Sequence, residues 1–208
     1  MEASAPELPL EQAHGFPMIS VVEDNFCVTY STEVTVNKKY RGLFLNQRYE
    51  VLDVNGNLLL QVDGSSLDVR KKRLMRDAAG SPILTMREKI NLVTLRHRWM
   101  VHRGKSLEEK DLIFGVQRSH PLDMKPRLDV FMATNINEFI SSFQLVGSHI
   151  DKSCKVYKGE TMIAEVIDAY PRSNISKWTE SFRVKINAGV DYAFIVALLV
   201  ILTVNDYI

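Results

Sequence analysis

Apolar and polar positions alternate along most of this chain, and the alternation has a period of two. Glu50, Leu52 and Val54 interleave with Tyr49, Val51 and Asp53. After Asn55-Gly56, the apolar residues Leu58, Leu60 and Val62 again fall on alternate positions. A period of two places successive side chains on opposite faces of a strand. Asn-Gly between two such runs predicts a hairpin with a tight primed turn, which needs positive φ at both central residues.

The same unit recurs. Leu74-Met75 leads through Asp77-Ala78-Ala79-Gly80-Ser81-Pro82 to Ile83-Leu84-Thr85-Met86. Trp99-Met100-Val101 leads through Arg103-Gly104 and an acidic loop to Leu112–Val116. Lys155-Val156-Tyr157 turns at Lys158-Gly159 into Met162–Ile167, and Phe182, Val184 and Ile186 alternate with Arg183, Lys185 and Asn187. Short strands at such spacing predict antiparallel β architecture, a sandwich or a barrel. Residues 1–20 are rich in Pro, Glu and Ala without a period and read as a flexible tail. Ser119–Pro126 is marked by two prolines and reads as a crossing loop within one domain spanning 21–208.

One segment breaks the period. Tyr192–Val204 holds 13 residues without a charge. Its Ile, Val and Phe also fit a buried strand, but strands usually run about 4–8 residues, so the length and the two alanines favour a helix. At 1.5 Å per residue it reaches about 20 Å, short of the roughly 30 Å of a bilayer core. No transmembrane span is expected. Asp191 stands at the N-cap and Asn205 at the C-terminal stop. A helix apolar on every side must be enclosed on every side, and here only strands are available to enclose it. The prediction is a closed barrel threaded by one helix, with Asp191, Tyr192, Phe194, Ile195, Leu198, Leu199, Ile201 and Leu202 as its structural centre.

Composition narrows the classes. The chain has 208 residues, 46% of them hydrophobic and 25% charged, which excludes a disordered or collagen-like polymer. Two cysteines, Cys27 and Cys154, cannot build a disulfide framework, and neither lies in a Cys-x-x-Cys pair. The N-terminal segment lacks a basic start and an apolar core, so no signal peptide is expected, and the expected location is intracellular and cytoplasmic. The net charge of +1 conceals an asymmetry. Residues 70–127 hold 15 Lys/Arg against 6 Asp/Glu, with the run Arg70, Lys71, Lys72, Arg73 and then Arg76. Such a run raises the local density of anions, in a salt-dependent way.

Catalytic chemistry finds little support. There is no phosphate-binding glycine loop. Ser148, His149 and Asp151 are close in sequence, but triads assemble in space, and no G-x-S-x-G elbow surrounds the serine. Cys154 beside Lys155 raises the possibility of a lowered thiol pKa, against the plainer reading of a small buried strand residue. His97 and His102 are five apart and fall on opposite faces of a strand. No metal, no cofactor and no enzymatic activity are expected. Trp99 between Arg96, Arg98 and Arg103 fits a core position better than a base-stacking one.

An ordered set of short motifs then gives a resemblance. It comprises Val34-Thr35-Val36 with Lys38-Lys39, Asp53-Val54-Asn55-Gly56-Asn57-Leu58, and Asp77 with Gly80 and Pro82 before Ile83-Leu84-Thr85. It continues through Arg98-Trp99, Leu128-Asp129-Val130-Phe131, Val146-Gly147-Ser148, Ser153-Cys154 and Gly189–Leu198. The chain resembles the plant LURP-one-related proteins, a branch of the tubby C-terminal-like superfamily that includes phospholipid scramblases. The resemblance implies a barrel of about a dozen strands around a central hydrophobic helix. It also implies a defence-related plant protein without established chemistry.

The expectation for function is a binding protein, a monomer, peripherally attached to anionic, phosphoinositide-type phospholipid head groups. The candidate contacts are Lys38, Lys39 and Arg41, with Arg70, Lys71, Lys72 and Arg73. Strand alternation would pair Arg70 with Lys72, and Lys71 with Arg73. The alternatives are a protein-interaction scaffold with unidentified partners, and a nucleic-acid-binding or membrane-tethered transcription regulator. A sequence pI near 7.8 counts against nucleic acid.

Overall fold

Every turn along the chain joins two antiparallel neighbours, and the last strand pairs with the first. The computed structural model describes residues 17–41, 46–65, 68, 70–90, 97–119, 127–135, 140–148, 153–171 and 179–204. The strands are β1 (Thr32–Arg41), β2 (Asn46–Leu52), β3 (Leu58–Ser65), β4 (Arg73–Asp77), β5 (Pro82–Ile90) and β6 (His97–Arg103). They continue as β7 (Leu112–Arg118), β8 (Arg127–Met132), β9 (Phe143–Ser148), β10 (Ser153–Lys158), β11 (Thr161–Pro171) and β12 (Thr179–Ile186). The sheet order is sequential and β1 closes on β12, with Val34 opposite Val184 and Val36 opposite Phe182. Closure leaves no edge strand to recruit another chain.

The predicted helix, α1 (Tyr192–Val204), runs down the middle of this barrel. All residues from Ala193 to Thr203 are buried. That is the only placement that removes an all-apolar helix from water. The inward positions that meet it have one parity in each strand, as in Val34 and Val36, Leu60 and Val62, and Leu84 and Met86. Phe194 contacts Phe114 edge-on at 5.2 Å between centroids and Phe143 at 4.8 Å. Such aromatic pairs add about 0.5–1.5 kcal/mol beyond their burial.

The β2–β3 hairpin differs from the primed turn expected at Asn55-Gly56. Only Gly56 has positive φ, at +84°, while Asn55 does not. The Gly56 N–H donates to the Asp53 carbonyl and the Asp53 N–H to the Asn57 carbonyl, with a register shift after Val51. This is an ordinary turn followed by a glycine bulge. The Asp53 carboxylate selects it by accepting the Asn55 and Asn57 N–H groups, each at 2.8 Å. Asp77–Ser81 repeats the device, with Gly80 at φ +89° and the Ser81 N–H 2.7 Å from the Asp77 carboxylate.

The segment 17–31 crosses the barrel end where the helix enters. Residues 17–20, assigned to the tail on composition, belong to this segment, and Ile19 is tied down. The Ile19 N–H donates to the Gly189 carbonyl, and Ile19 forms a bridge with Val190. The rest of the expected tail lies outside the described residues, as do 120–126 of the proline-marked stretch.

Asp191 pins this strap. One carboxylate oxygen accepts the Phe194 N–H at 3.0 Å, which is the expected N-cap. The other faces the N–H groups of Val22 at 2.7 Å, Val21 at 3.2 Å and Glu23 at 3.4 Å. Burial pushes the carboxyl above its usual range, and the four backbone donors oppose that shift.

Candidate basic site at the far barrel end

The helix ends near the opposite rim, where the Tyr49 hydroxyl and Thr203 Oγ1 are 3.0 Å apart. The C-terminal ends of β1, β3, β5, β7, β9 and β11 reach this rim. The expected basic residues gather here, but strand parity divides them.

Lys38 shares the inward face of β1 with Val34 and Val36 and is 5% exposed. Its cross-strand partner is Tyr49, which places it by the helix C-terminus, where a cation is favoured by the unpaired carbonyls. Arg73 shares the inward face of β4 with Met75 and is 2% exposed. Its guanidinium donates to Gln47 Oε1 at 3.0 Å and to the Lys72 carbonyl at 3.1 Å. It lies over Gly64, where a Cβ would stand 2.2 Å from Arg73 Cδ. Burial pulls the Arg73 pKa down, opposed by Tyr49 and Asp68, yet an arginine stays charged. Neither Lys38 nor Arg73 is available to an external surface, which corrects their assignment as lipid contacts.

The pairings expected from alternation also change. β4 starts only at Arg73, and Lys71 takes φ 47°, so the run 70–72 is a turn, not a strand. Asp68 builds this turn. Its carboxylate accepts the Arg70 N–H at 2.9 Å and its carbonyl the Lys71 N–H at 2.8 Å. Arg70 and Lys72 are exposed. Lys71 reaches Glu88 at 3.3 Å. Lys39 faces outward and pairs with Glu50. Arg41 closes β1 opposite Asn46, and its side chain lies outside the described ones.

Two further cations join the group, and sequence reasoning missed both. Arg87 and Lys89 occupy the outward parity of β5, opposite to Met86 and Glu88. The Glu88 N–H donates to the Arg70 carbonyl at 2.8 Å and so fastens the turn to β5. Together Arg70, Arg87, Glu88, Lys89 and Ile90 line a cleft of about 360 Å³. Glu88 is its one acid among the described residues. Its side chain is 3% exposed and is engaged by Lys71 and by His97 Nδ1 at 2.8 Å. The surface that the cleft turns to solvent is therefore positive. It extends to Arg98, the cross-strand partner of Lys89, whose guanidinium lies 5.8 Å from the Phe131 ring. Gly115 makes room for it, since a Cβ there would meet Arg98 Nε at 2.8 Å.

Of the catalytic and metal candidates, His97 stands at this end, against Glu88. Cys154 is buried, and desolvation pushes its thiol up to about 12, the reverse of an activated thiolate. Cys27 is raised to about 11, by burial first and by Asp191 second. His97 and His102 do face opposite ways, and burial and Arg87 lower the His102 pKa. Trp99 is core, 3% exposed. His149 and Asp151 lie outside the described residues. Among the described residues, no three His, Cys, Asp or Glu side chains are grouped as a metal set. No described helix is long and apolar enough to cross a membrane.

The family model described as LURP-one-related matches residues 32–203. The chain is 41% identical to Protein LURP-one-related 14 of Arabidopsis thaliana, over 92% of this chain and 93% of that protein. It is 39% identical to Protein LURP-one-related 9 of the same plant, over 88% of this chain and 96% of that protein. An X-ray structure of an Arabidopsis thaliana protein, 32% identical, superposes with a TM-score of 0.65 over 88% of this chain and 96% of that one. A twelve-stranded barrel closed around one apolar helix, matched along nearly its whole length, makes this chain a member of the LURP-one-related family.

Proposed function

We propose that this protein is a non-enzymatic binding module that attaches reversibly to anionic lipid head groups through the basic barrel end. The defence-related setting comes from the family resemblance alone. The observation that carries the reading is the cleft lined by Arg70, Arg87 and Lys89, whose one acid among the described residues, Glu88, is already held by Lys71 and His97. Lys72, exposed like Arg70 and Lys89, adds a fourth cation: it precedes Arg73, whose β5 partner Met86 adjoins the half-buried Arg87. These four replace the sequence-based set as the proposed contacts.

Each basic residue near an anionic surface contributes about 1 kcal/mol. Four of them give about 4 kcal/mol, which corresponds to a dissociation constant of about 1 mM. Attachment of that strength is peripheral, sensitive to salt and responsive to head-group density. The test is co-sedimentation with neutral vesicles and with vesicles containing phosphoinositide, at low and physiological salt. The wild type should sediment with the charged vesicles, and Arg70→Glu/Arg87→Glu should abolish this while Lys105→Glu/Lys110→Glu, at the opposite rim, should not. Equal binding by both double variants, or no binding at either salt, would overturn the proposal and direct the search to protein partners.

A further inference from the structure

The basic cleft adjoins one group whose charge is not fixed. His97 opens β6 and shares the parity of the core residues Trp99 and Val101. Its cross-strand partner is Ile90, which lines the cleft. Glu88 has the matching parity on β5, with Leu84 and Met86. One Glu88 oxygen lies 2.8 Å from His97 Nδ1, and the other 3.3 Å from Lys71 Nζ. Both oxygens are thus committed within the protein. The Glu88 side chain is 3% exposed, whereas that of His97 is 54% exposed and open to solvent protons.

Histidine is the side chain that ordinarily changes charge between about pH 5 and 8. A carboxylate at Nδ1 selects the tautomer with its proton there, which leaves Nε2 to take the second one. While His97 is neutral, Lys71 balances Glu88, and the cleft presents the cations Arg70, Lys72, Arg87 and Lys89. The second proton adds another positive charge beside them, and the ring still donates from Nδ1 to Glu88. The remaining charged neighbours of His97 are cations. Arg98 follows it on β6 and pairs with Lys89 of β5, Arg118 follows Gln117, the β7 partner of Arg98, and Lys71 reaches it through Glu88. Among the described residues, Glu88 is the one acid in contact with the ring. An anionic surface over the cleft supplies a second counter-charge. We propose that His97 makes attachment at this cleft pH-dependent, tightening it as the solution turns mildly acidic, an inference that rests on the lipid reading of the same site. One added cation near an anionic surface strengthens attachment about fivefold. By reciprocity, attachment draws part of a proton from solution.

The test is co-sedimentation of the full chain with vesicles containing phosphoinositide, at about pH 7.5 and about pH 5.5, for wild type, His97→Gln and His97→Arg. The head-group phosphomonoester itself loses charge on acidification, so each protein is compared with the others on the same vesicles at the same pH. The ratio of wild-type to His97→Gln partition should rise about three- to fivefold between the two conditions. His97→Arg carries its charge throughout and should exceed His97→Gln about fivefold at both. A constant ratio of wild type to His97→Gln, with vesicle binding present, would overturn the pH switch and leave the lipid reading standing. An arginine variant no better than glutamine would overturn added charge as the cause. Wild type bound at neither pH would overturn the lipid reading and the switch together.

Discussion

Replacing Asp191 by alanine removes the carboxylate that joins the helix start to the strap. Four backbone N–H groups lose their acceptor: Phe194 at 3.0 Å, Val22 at 2.7 Å, and the longer pair Val21 and Glu23. An N-cap of this type is worth about 1 kcal/mol. A hydrogen bond to a charged acceptor is worth about 1.5–3 kcal/mol, which applies in full only to the short Val22 bond. Relief of the buried charge, whose pKa burial has raised, subtracts from the total. The expected loss is about 3 kcal/mol, or about 6–12 °C in Tm for a chain of this size. Asp191→Ser separates the two roles, because a hydroxyl on so short a side chain caps Phe194 but does not reach the strap; its loss should be about 2 kcal/mol. Urea unfolding followed by far-ultraviolet circular dichroism measures both. A loss under about 1 kcal/mol for alanine would refute the strap as a structural element. A serine variant no better than alanine would refute the cap.

Other consequences concern pH and the two glycines under arginines. The raised Asp191 pKa means that its contribution is fullest below 3.8 and declines as pH rises through the folded value, so the stability gap between wild type and Asp191→Asn should narrow as pH rises from about 4; a widening gap in urea titrations would contradict this. His102 is shifted the other way, so its contribution is lost as pH falls below 6.5; His102→Leu should flatten that limb of the stability–pH curve. Gly64→Ala forces a Cβ onto the enclosed Arg73 side chain and should cost about 1–3 kcal/mol. Gly115→Ala should cost less, since Arg98 lies on the outer face and can swing away; equal losses in thermal unfolding would mean that Arg73 is not confined.

The helix and its enclosure were legible in the sequence because Tyr192–Val204 offers no polar face to present to water. Nothing but strands stood ready to cover it. The strand parity of Lys38 and Arg73 was also present, in Val34-x-Val36-x-Lys38 and Arg73-x-Met75, but a run of cations suggests solvent before it suggests a core. The same parity would have found Arg87 and Lys89, opposite to Leu84 and Met86. The turn at Asn55-Gly56 misled because the deciding group is the Asp53 side chain, which outweighs the dipeptide preference. The strap bonds of Asp191 span about 170 positions, and no local pattern announces such a contact. The cleft depends on the Asp68 turn meeting β5, a register detail that only the closed sheet supplies.

The central functional claim is a location, and amide chemical-shift mapping tests it most directly. The isotopically labelled full chain is titrated with a soluble inositol polyphosphate. Shifts concentrated at residues 70–72 and 87–90, weakening as salt is raised, are the predicted result. Shifts centred on the opposite rim, at 53–57, 78–81 or 104–111, or no shifts at low salt, would contradict it.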